Sequence, residues 1–402
     1  MITLEEAFEI IEKEVTELEP ASIPLLEALG CALREDIISR INVPRFANSA
    51  MDGFAVRLSD LTGLGPWRLP IQKIIAAGDS SGESLEEGYT AKIMTGAPLP
   101  DGADSVIRIE DVSIDVDRVI IESKPPKDNF IRPVADDIKK GELLYKKGVI
   151  LDPIAIGILA SIGRLDVKVA PKPKIAILST GSELVTPGEE LPRGKIYGSN
   201  DYVLRSLLKK DGHGISHSFK TSTDEFDELC KILEDIMRDC DLLISSGGVS
   251  MGDYDLIPQA VEKIGGEILF HKTYVKPGKP VLLARIRNRW LLGLPGNPVS
   301  VVVGYHLHAR RIIARLSGLD YRPRKGKAIL GADLSVKGSR FCVIGARIEE
   351  TENGIIVFPS IRQQSGRLSS IKGINGFIFA EGGTRTVKKG MEVVIEWMDQ
   401  AR

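Results

Sequence analysis

Apolar and polar residues alternate along the 402-residue chain in a succession of distinct rhythms. Leu4, Ala7, Phe8 and Ile11 recur at helical spacing, so the first 26 residues are expected to open with a helix that ends near Pro20. From about 50 to 140 the rhythm shortens to WRLPIQKIIAAG, TAKIMTG, ADSVIRIEDV and RVIIES, broken by Gly, Pro and Asp turns, which predicts a separate β-rich module. Residues 141–170 contain LDPIAIGILASIG, an apolar helix with Pro153 near its start.

At PKPKIAILSTGSEL the period changes again. A strand KIAIL (174–178) precedes a helix over 200–210 that Gly212 ends, then a helix over 223–238 opened by a capping box from Ser222 to Glu225. A strand over 241–244, a helix near 254–264, a strand over 267–271, a paired run over 281–294 and a helix over 298–316 follow. Strands alternating with helices imply a largely parallel sheet covered on both faces. After about 320 GKAILGADL, CVIGARIE, GIIVFPS, GFIFAEGG and EVVIEW predict a small all-β C-terminal domain. No internal repeat or low-complexity tail interrupts this plan.

Composition narrows the function classes. A hydrophobic content of 43% and a charged content of 27% are those of an ordinary globular chain, and the net charge of −2 gives no reason to expect nucleic acid or an acidic membrane as partner. No segment approaches 18 consecutive apolar residues and MITLEEAFEI is acidic where a signal peptide is basic, so a cytoplasmic location is expected. Cys31, Cys230, Cys240 and Cys342 form no CxxC, His306 and His308 fall on different helix faces, and His213 and His217 straddle a turn, so zinc is not indicated. Sparse Gln and Asn beside plentiful Lys, Glu, Arg and Ile match a heat-adapted composition.

Three strand ends of the α/β segment carry glycine-rich turns: STGSE (179–183), SSGGVSMGD (245–253) and GLPGNP (293–298). Ligands of a doubly wound sheet bind beyond the carboxyl ends of the strands, so the three turns converge on an anion such as a phosphate. None fits the P-loop or dinucleotide fingerprint. Glu183, Asp253 and Asp255 fall in or just after these turns, where carboxylates beside an anion call for a hard cation such as Mg²⁺ between them. Asp253 serves equally as a helix cap, and Asp224, next to Thr223, reads on its own as a helix start. HKTYVKPGKP places Lys272, Lys276 and Lys279 on one stiff loop suited to an oxyanion or pyrophosphate, or simply to solvent. Asp52 in NSAMDGFAV and Thr95 in MTGAPLPDGAD sit in tight turns.

Taken in order, NSAMDGFAV, IMTGAPLPDGAD, DIKKGELL, LSTGSELVTPG, GKIYGSN, SSGGVSMGDYD, KPGKP and GLPGNPVS resemble the molybdenum-cofactor biosynthesis family that includes bacterial MoeA and the gephyrin E domain. QSGRLSS with INGF adds a C-terminal match. The resemblance implies a multidomain protein: a central MogA-like α/β domain with a doubly wound, mostly parallel sheet (173–320), a separate β-rich domain (27–140), an elongated linker domain (1–26 plus 141–172) and a C-terminal β-barrel-like domain (321–402). It implies a molybdopterin molybdenumtransferase that inserts molybdate or tungstate into adenylylated molybdopterin and releases AMP with Mg²⁺. The family forms a homodimer whose active site lies across the interface, with contact to a MogA-like adenylyltransferase.

Carried over by position, the resemblance assigns catalysis to Asp52, Thr95, Glu183, Asp224 and Asp255, with Glu183, Asp224 and Asp255 at Mg²⁺. The strand-end turns supply Gly181, Ser182, Gly247, Gly248, Ser250, Asp253, Pro295, Gly296, Asn297 and Pro298 as substrate-binding positions, joined by Lys272, Lys276, Lys279 and Ser365. Ser182 stands where many members carry Asp, and VADDI replaces the commoner GEDI, without removing an acid named above. Two other functions share parts of this pattern: a MogA-like molybdopterin adenylyltransferase, against which the additional 250 or so residues argue, and a non-enzymatic gephyrin-like scaffold.

Overall fold

The computed structural model describes residues 1–80, 82, 84–215, 217–221, 225–249, 256–352, 354–360 and 364–399. The chain divides into two units, one formed by Met1–Ala21, Gly30–Ala32 and Ala170–Arg402, the other by Ser22–Leu29 and Leu33–Val169. Among the described residues, no helix is long and apolar enough to cross a membrane.

The unit of Leu33–Val169 is built on strands β1 (Gly53–Val56), β2 (Trp67–Ile75), β3 (Thr90–Ile93), β4 (Ser105–Arg108), β5 (Val112–Asp115) and β6 (Arg118–Ile121), ordered β4-β1-β3-β2-β6-β5. Successive residues of a strand face opposite sides, and β1 shows the result: Phe54 and Val56 enter one apolar cluster while Ala55 enters another. Both faces are thus covered. The apolar run after Asp152 forms a helix, Pro153–Ser161, whose first turn is capped by the Asp152 carboxylate accepting from the Ala155 N–H at 2.7 Å.

In the other unit, helix α1 (Leu4–Glu14) starts at a capping box between Thr3 and Glu6. It ends at Glu14, six residues before the expected Pro20. Val15 is fully buried and turns extended, and the Leu18 N–H donates to the Leu316 carbonyl instead of to its own helix. A tertiary hydrogen bond has replaced the last helical turn.

The α/β sheet contains β7 (Ile175–Thr180), β8 (His217–Thr221), β9 (Leu242–Ser246), β10 (Glu267–His271), β11 (Leu282–Ile286) and β12 (Arg289–Leu294) in the order β8-β7-β9-β12-β11-β10. The first four pair in parallel, while β11 is antiparallel to both β12 and β10. Ile175 and Ile177 of β7 pack in one cluster with α1 and with α2 (Asn200–Lys210); Ala176 and Leu178 pack in a second with α3 (Phe226–Asp239) and α4 (Ile257–Lys263). Burial on both faces explains why these strands read as unbroken apolar runs. The expected 200–210 helix is α2, and Gly212 follows its end at a left-handed φ of +80. The helix expected over 223–238 begins at Phe226 rather than residue 223, with extended Glu225 at its cap and no side-chain capping bond; Ser222 lies outside the described residues.

The run 298–316 is helical throughout but not uniform: α5 (Pro298–Gly304) passes through a π-helical turn, Tyr305–Ala309, into α6 (Arg310–Leu316). Arg310 is 3% exposed and forks onto Asp211, Nε to Oδ2 at 2.6 Å and Nη2 to Oδ1 at 2.7 Å, while Nη1 donates to the Met398 carbonyl at 2.6 Å. Met398 follows the last strand of the C-terminal barrel, which comprises β13 (Lys325–Leu330), β14 (Phe341–Thr351), β15 (Gly354–Pro359), β16 (Gly376–Ala380) and β17 (Glu392–Trp397). Their pairing order β14-β15-β13-β17-β16 closes back on β14. This is the β-barrel-like domain that the sequence predicts.

His306 and His308 lie in the π-helical turn and face different surroundings, His306 against Tyr305 and Phe377, His308 beside Phe8 and Phe270. Burial, reinforced by Arg311, lowers the His308 pKa to about 3, and burial with Arg310 nearby lowers that of His306 well below its ordinary value. Unfolding returns both to the ordinary range near 6.5, so below that pH the unfolded chain binds protons that the folded one does not. Stability is therefore expected to fall as pH drops from 6.5 to 5, with a limiting slope of about 1.4 kcal/mol per pH unit for each histidine. Denaturant unfolding at pH 7, 6 and 5 checks this: His308→Phe is expected to flatten the slope, and a wild-type curve without slope over this range contradicts it.

Candidate functional site

Register places the three glycine-rich turns. Ser179 of β7 stands opposite Ser246 of β9, and Ser246 stands opposite Leu294 of β12. Three adjacent parallel strands thus end level with one another. The fourth strand end joins them, because His271 of β10 pairs with Leu282 of β11, which pairs with Gly293 of β12. A cavity of about 470 Å³ opens at this edge, and Glu183, Gly248, Pro295, Gly296, Asn297 and Pro298 are among its lining residues.

The turns are held in direct contact. The Gly247 N–H donates to the Leu294 carbonyl at 2.9 Å, and Gly247 has φ +97. A Cβ there would lie 2.7 Å from the Thr180 carbonyl oxygen, so this position accepts only glycine without strain. Asn200, the first residue of α2, donates through Nδ2 to Ser246 Oγ and to the Gly296 carbonyl, each at 2.8 Å. The His271 ring nitrogen Nε2 lies 2.8 Å from the Val249 carbonyl. The Glu183 turn is braced from the GKIYGSN segment: Lys195 Nζ donates to the Ser182 carbonyl at 2.7 Å and the Ile196 N–H to the Glu183 carbonyl at 2.9 Å. Asn200, His271 and Lys195 carried no role in the sequence reading, since their partners lie between 13 and 96 residues away.

Three polar atoms of residues lining the cavity have no hydrogen-bond partner among the described residues: Ser179 Oγ, Thr180 Oγ1 and Asn200 Oδ1. A buried polar atom left unpaired costs about 1–3 kcal/mol, so three of them beside a cavity mark a place built for polar occupants. Glu183 is the one acidic side chain lining the cavity among the described residues. Among those residues no group of three or more His, Cys, Asp and Glu side chains is placed to hold a metal ion. Asp224, Ser250, Asp253 and Asp255 lie outside the described residues.

The basic loop leaves from the same sheet edge but its lysines do not line the cavity; Pro280 does. Lys272 has φ +78, and its N–H donates to the Val281 carbonyl at 2.8 Å. Lys276 lies in the short strand Val275–Lys276 paired with β14, and its Nζ donates to the Lys337 carbonyl at 3.0 Å. The Lys279 carbonyl accepts from the Thr273 and Val281 N–H groups. From the barrel, the Ser365 carbonyl accepts from the Val299 N–H at 3.1 Å, which brings the neighbouring Gly366 to the cavity wall.

Asp52 and Thr95 belong to the other unit, where they meet. The Thr95 N–H and hydroxyl both donate to Asp52 Oδ1, at 2.7 and 2.9 Å. These two donors, the backbone one first, hold the exposed Asp52 carboxyl below its usual range, and Lys92 adds to the effect. The carboxylate is therefore fixed in its ionised form at neutral pH.

Gly247→Ala is expected to destabilise this unit by about 1–3 kcal/mol, because the new methyl meets the Thr180 backbone at a left-handed φ. Denaturant midpoints of wild type and variant measure it, and equal midpoints would contradict the close packing of the two turns.

Comparison with known proteins agrees with this geometry. The family described as MoeA N-terminal region (domain I and II) matches residues 2–163, and the probable molybdopterin binding domain matches residues 176–315. The chain is 36% identical to the molybdopterin molybdenumtransferase of Haemophilus influenzae, with 98% of each chain covered. It is 33% identical to that of Staphylococcus aureus strain COL over 98% of this chain and 95% of the relative. A crystal structure of the molybdopterin biosynthesis MoeA protein of Pyrococcus horikoshii OT3 superimposes with a TM-score of 0.67 at 28% identity, covering 99% and 100% of the two chains. A second Pyrococcus MoeA crystal structure reaches a TM-score of 0.76 at 30% identity over 99% of both chains. The chain belongs to the MoeA family of molybdenum-cofactor biosynthesis proteins.

Proposed function

We propose that this chain is a molybdopterin molybdenumtransferase that inserts molybdate or tungstate into adenylylated molybdopterin and releases AMP. The observation that carries the reading is the level ending of β7, β9 and β12, which brings three glycine-rich turns to one cavity with three polar atoms that have no partner among the described residues. Backbone N–H groups and hydroxyls on rigid turns suit phosphate oxygens, because they donate without moving. Gly248 and the Pro295–Pro298 turn would hold the phosphates. Glu183 would stand at the scissile anhydride, repelling a bare anion and orienting water or a cation there.

Mg²⁺ enters this proposal through Glu183 with Asp224 and Asp255, and when bound it would offset the charge of the phosphates. Lys272, Lys276 and Lys279 would receive the oxyanion beside the pterin sulfurs; Ser250, Asp253 and Ser365 complete the proposed contact set. Lys276 Nζ already donates to the Lys337 carbonyl, and backbone groups of Lys272 and Lys279 close the loop on itself, so a dianion arriving there would meet a cation on a fixed frame.

The proposal includes four domains with the boundaries given above, a cytoplasmic location, contact with a MogA-like adenylyltransferase, and a homodimer in which Asp52 and Thr95 of one subunit complete the site of the other. Leu26, Ile154 and Leu165, in one unit, are 82%, 70% and 79% exposed, and a second copy covering them would remove apolar surface from water.

Release of AMP from adenylylated molybdopterin tests the reading, with molybdate or tungstate and with or without Mg²⁺. Wild type is expected to show release that depends on the oxyanion. Glu183→Gln and Asp52→Asn are each expected to lose tenfold or more, about the effect of one charged contact worth ~1.5–3 kcal/mol. Refolding the two inactive variants together is expected to restore part of the activity, since mixed dimers then contain one intact site. Binding without release under all these conditions would overturn the transferase reading, and failure of the mixed variants to recover would overturn the shared site.

A further inference from the structure

We infer that Asn200 is a positioning residue for the phosphate-binding turns and that it makes Ser246 a hydrogen-bond donor to the ligand. The inference rests on the proposed transferase reading only for the identity of the ligand. Asn200 stands at the start of α2, on the cavity wall. Its amide nitrogen has two N–H groups, and both are spent: one on Ser246 Oγ and one on the Gly296 carbonyl, each at 2.8 Å. The carbonyl partner can only accept, so it fixes which end of the amide is nitrogen.

Ser246 closes β9 and Gly296 lies two residues beyond β12, so one side chain spans the two turns that face each other across the cavity edge. The turns are close enough that a Cβ on Gly296 would lie 3.8 Å from the Gly247 Cα. Their separation therefore depends on what bridges them.

The chemistry at Ser246 follows. Its side chain is buried, lines the cavity and accepts from Asn200. A hydroxyl that accepts on one lone pair still has its own proton to give. With Asn200 occupying the acceptor side, the O–H is left to donate toward the cavity, where an anionic oxygen is the partner that gains most. Asn200 thus acts on the ligand through Ser246 and through the Gly296 turn.

The test compares Asn200→Asp, Asn200→Ala, Ser246→Ala and the double variant Asn200→Ala with Ser246→Ala in AMP release and in calorimetric binding of AMP. Asp has the shape of Asn but no N–H to donate, and its charge also repels an anionic ligand; loss of the two donors is shared with Asn200→Ala, whereas charge repulsion is added only by Asn200→Asp. The positioning role predicts that each single variant raises KM and the AMP Kd about tenfold, with kcat within about twofold and a melting temperature lower by a few degrees. The double variant is expected to be no weaker than the weaker single one, because the two residues act as a unit. Wild-type KM in Asn200→Asp, or effects that multiply to about a hundredfold in the double variant, overturn the inference. A wild type that binds AMP without releasing it from the adenylylated substrate overturns the transferase reading instead, and the binding series still decides the role of Asn200. Wild type without AMP binding overturns both.

Discussion

Everything at the candidate site depends on one constraint, the parallel register of β7, β9 and β12. Parallel hydrogen bonding fixes which residues stand side by side, and a slip of one residue would turn every side chain to the opposite face. Because Ile175, Ile177 and Ile244 must enter one core while Ala176, Leu178 and Leu243 enter the other, such a slip is forbidden on both faces. Burial of the strands therefore sets the level at which they end. The turns inherit that level, and a cavity appears where three strands stop together. Function here begins as a packing requirement.

The same constraint explains why glycine is needed at the turns. Strands that lie side by side bring the following backbone segments into contact, as the Gly247 N–H and the Leu294 carbonyl show. Side chains at that point would push the turns apart. Glycine keeps them close. Polar side chains then complete the arrangement from outside the turns: Asn200 from α2, His271 from β10 and Lys195 beside Glu183.

This division decides what could be read from the sequence. Strand, glycine turn and following helix are local patterns, so the α/β order, the three turns and the limits of α2 were legible. The end of α1 was not, because the Leu18 N–H prefers the Leu316 carbonyl nearly three hundred residues away to its own helix. α3 starts at Phe226, three residues later than expected, because Glu225 is extended; Ser222, the other half of the expected capping box, lies outside the described residues. Asn200 and His271 look like ordinary polar residues in the chain. They acquire a role only when a distant carbonyl is brought within 2.8 Å. Asp52 and Thr95 are 43 residues apart, and turn chemistry alone gave no reason to pair them, yet both Thr95 donors converge on one carboxylate oxygen.

The C-terminal barrel is tied to the site by the same logic of long-range polar contacts over an apolar base. Val302, Val303 and Leu307 of the 298–316 helix pack with Val343 and Phe377 of the barrel. An apolar contact alone tolerates sliding, because dispersion and burial are nearly non-directional. Direction comes from Arg310, whose fork onto Asp211 and single bond to the Met398 carbonyl join α2, α6 and the end of β17 in one buried cluster. Removing either charge of such a pair would strand the other away from water, at a cost of about 3–5 kcal/mol. The barrel is therefore held in one orientation, with the Ser365 carbonyl on the Val299 N–H and Gly366 at the cavity wall. An ion pair outside the cavity thus helps to fix the position of one of its walls.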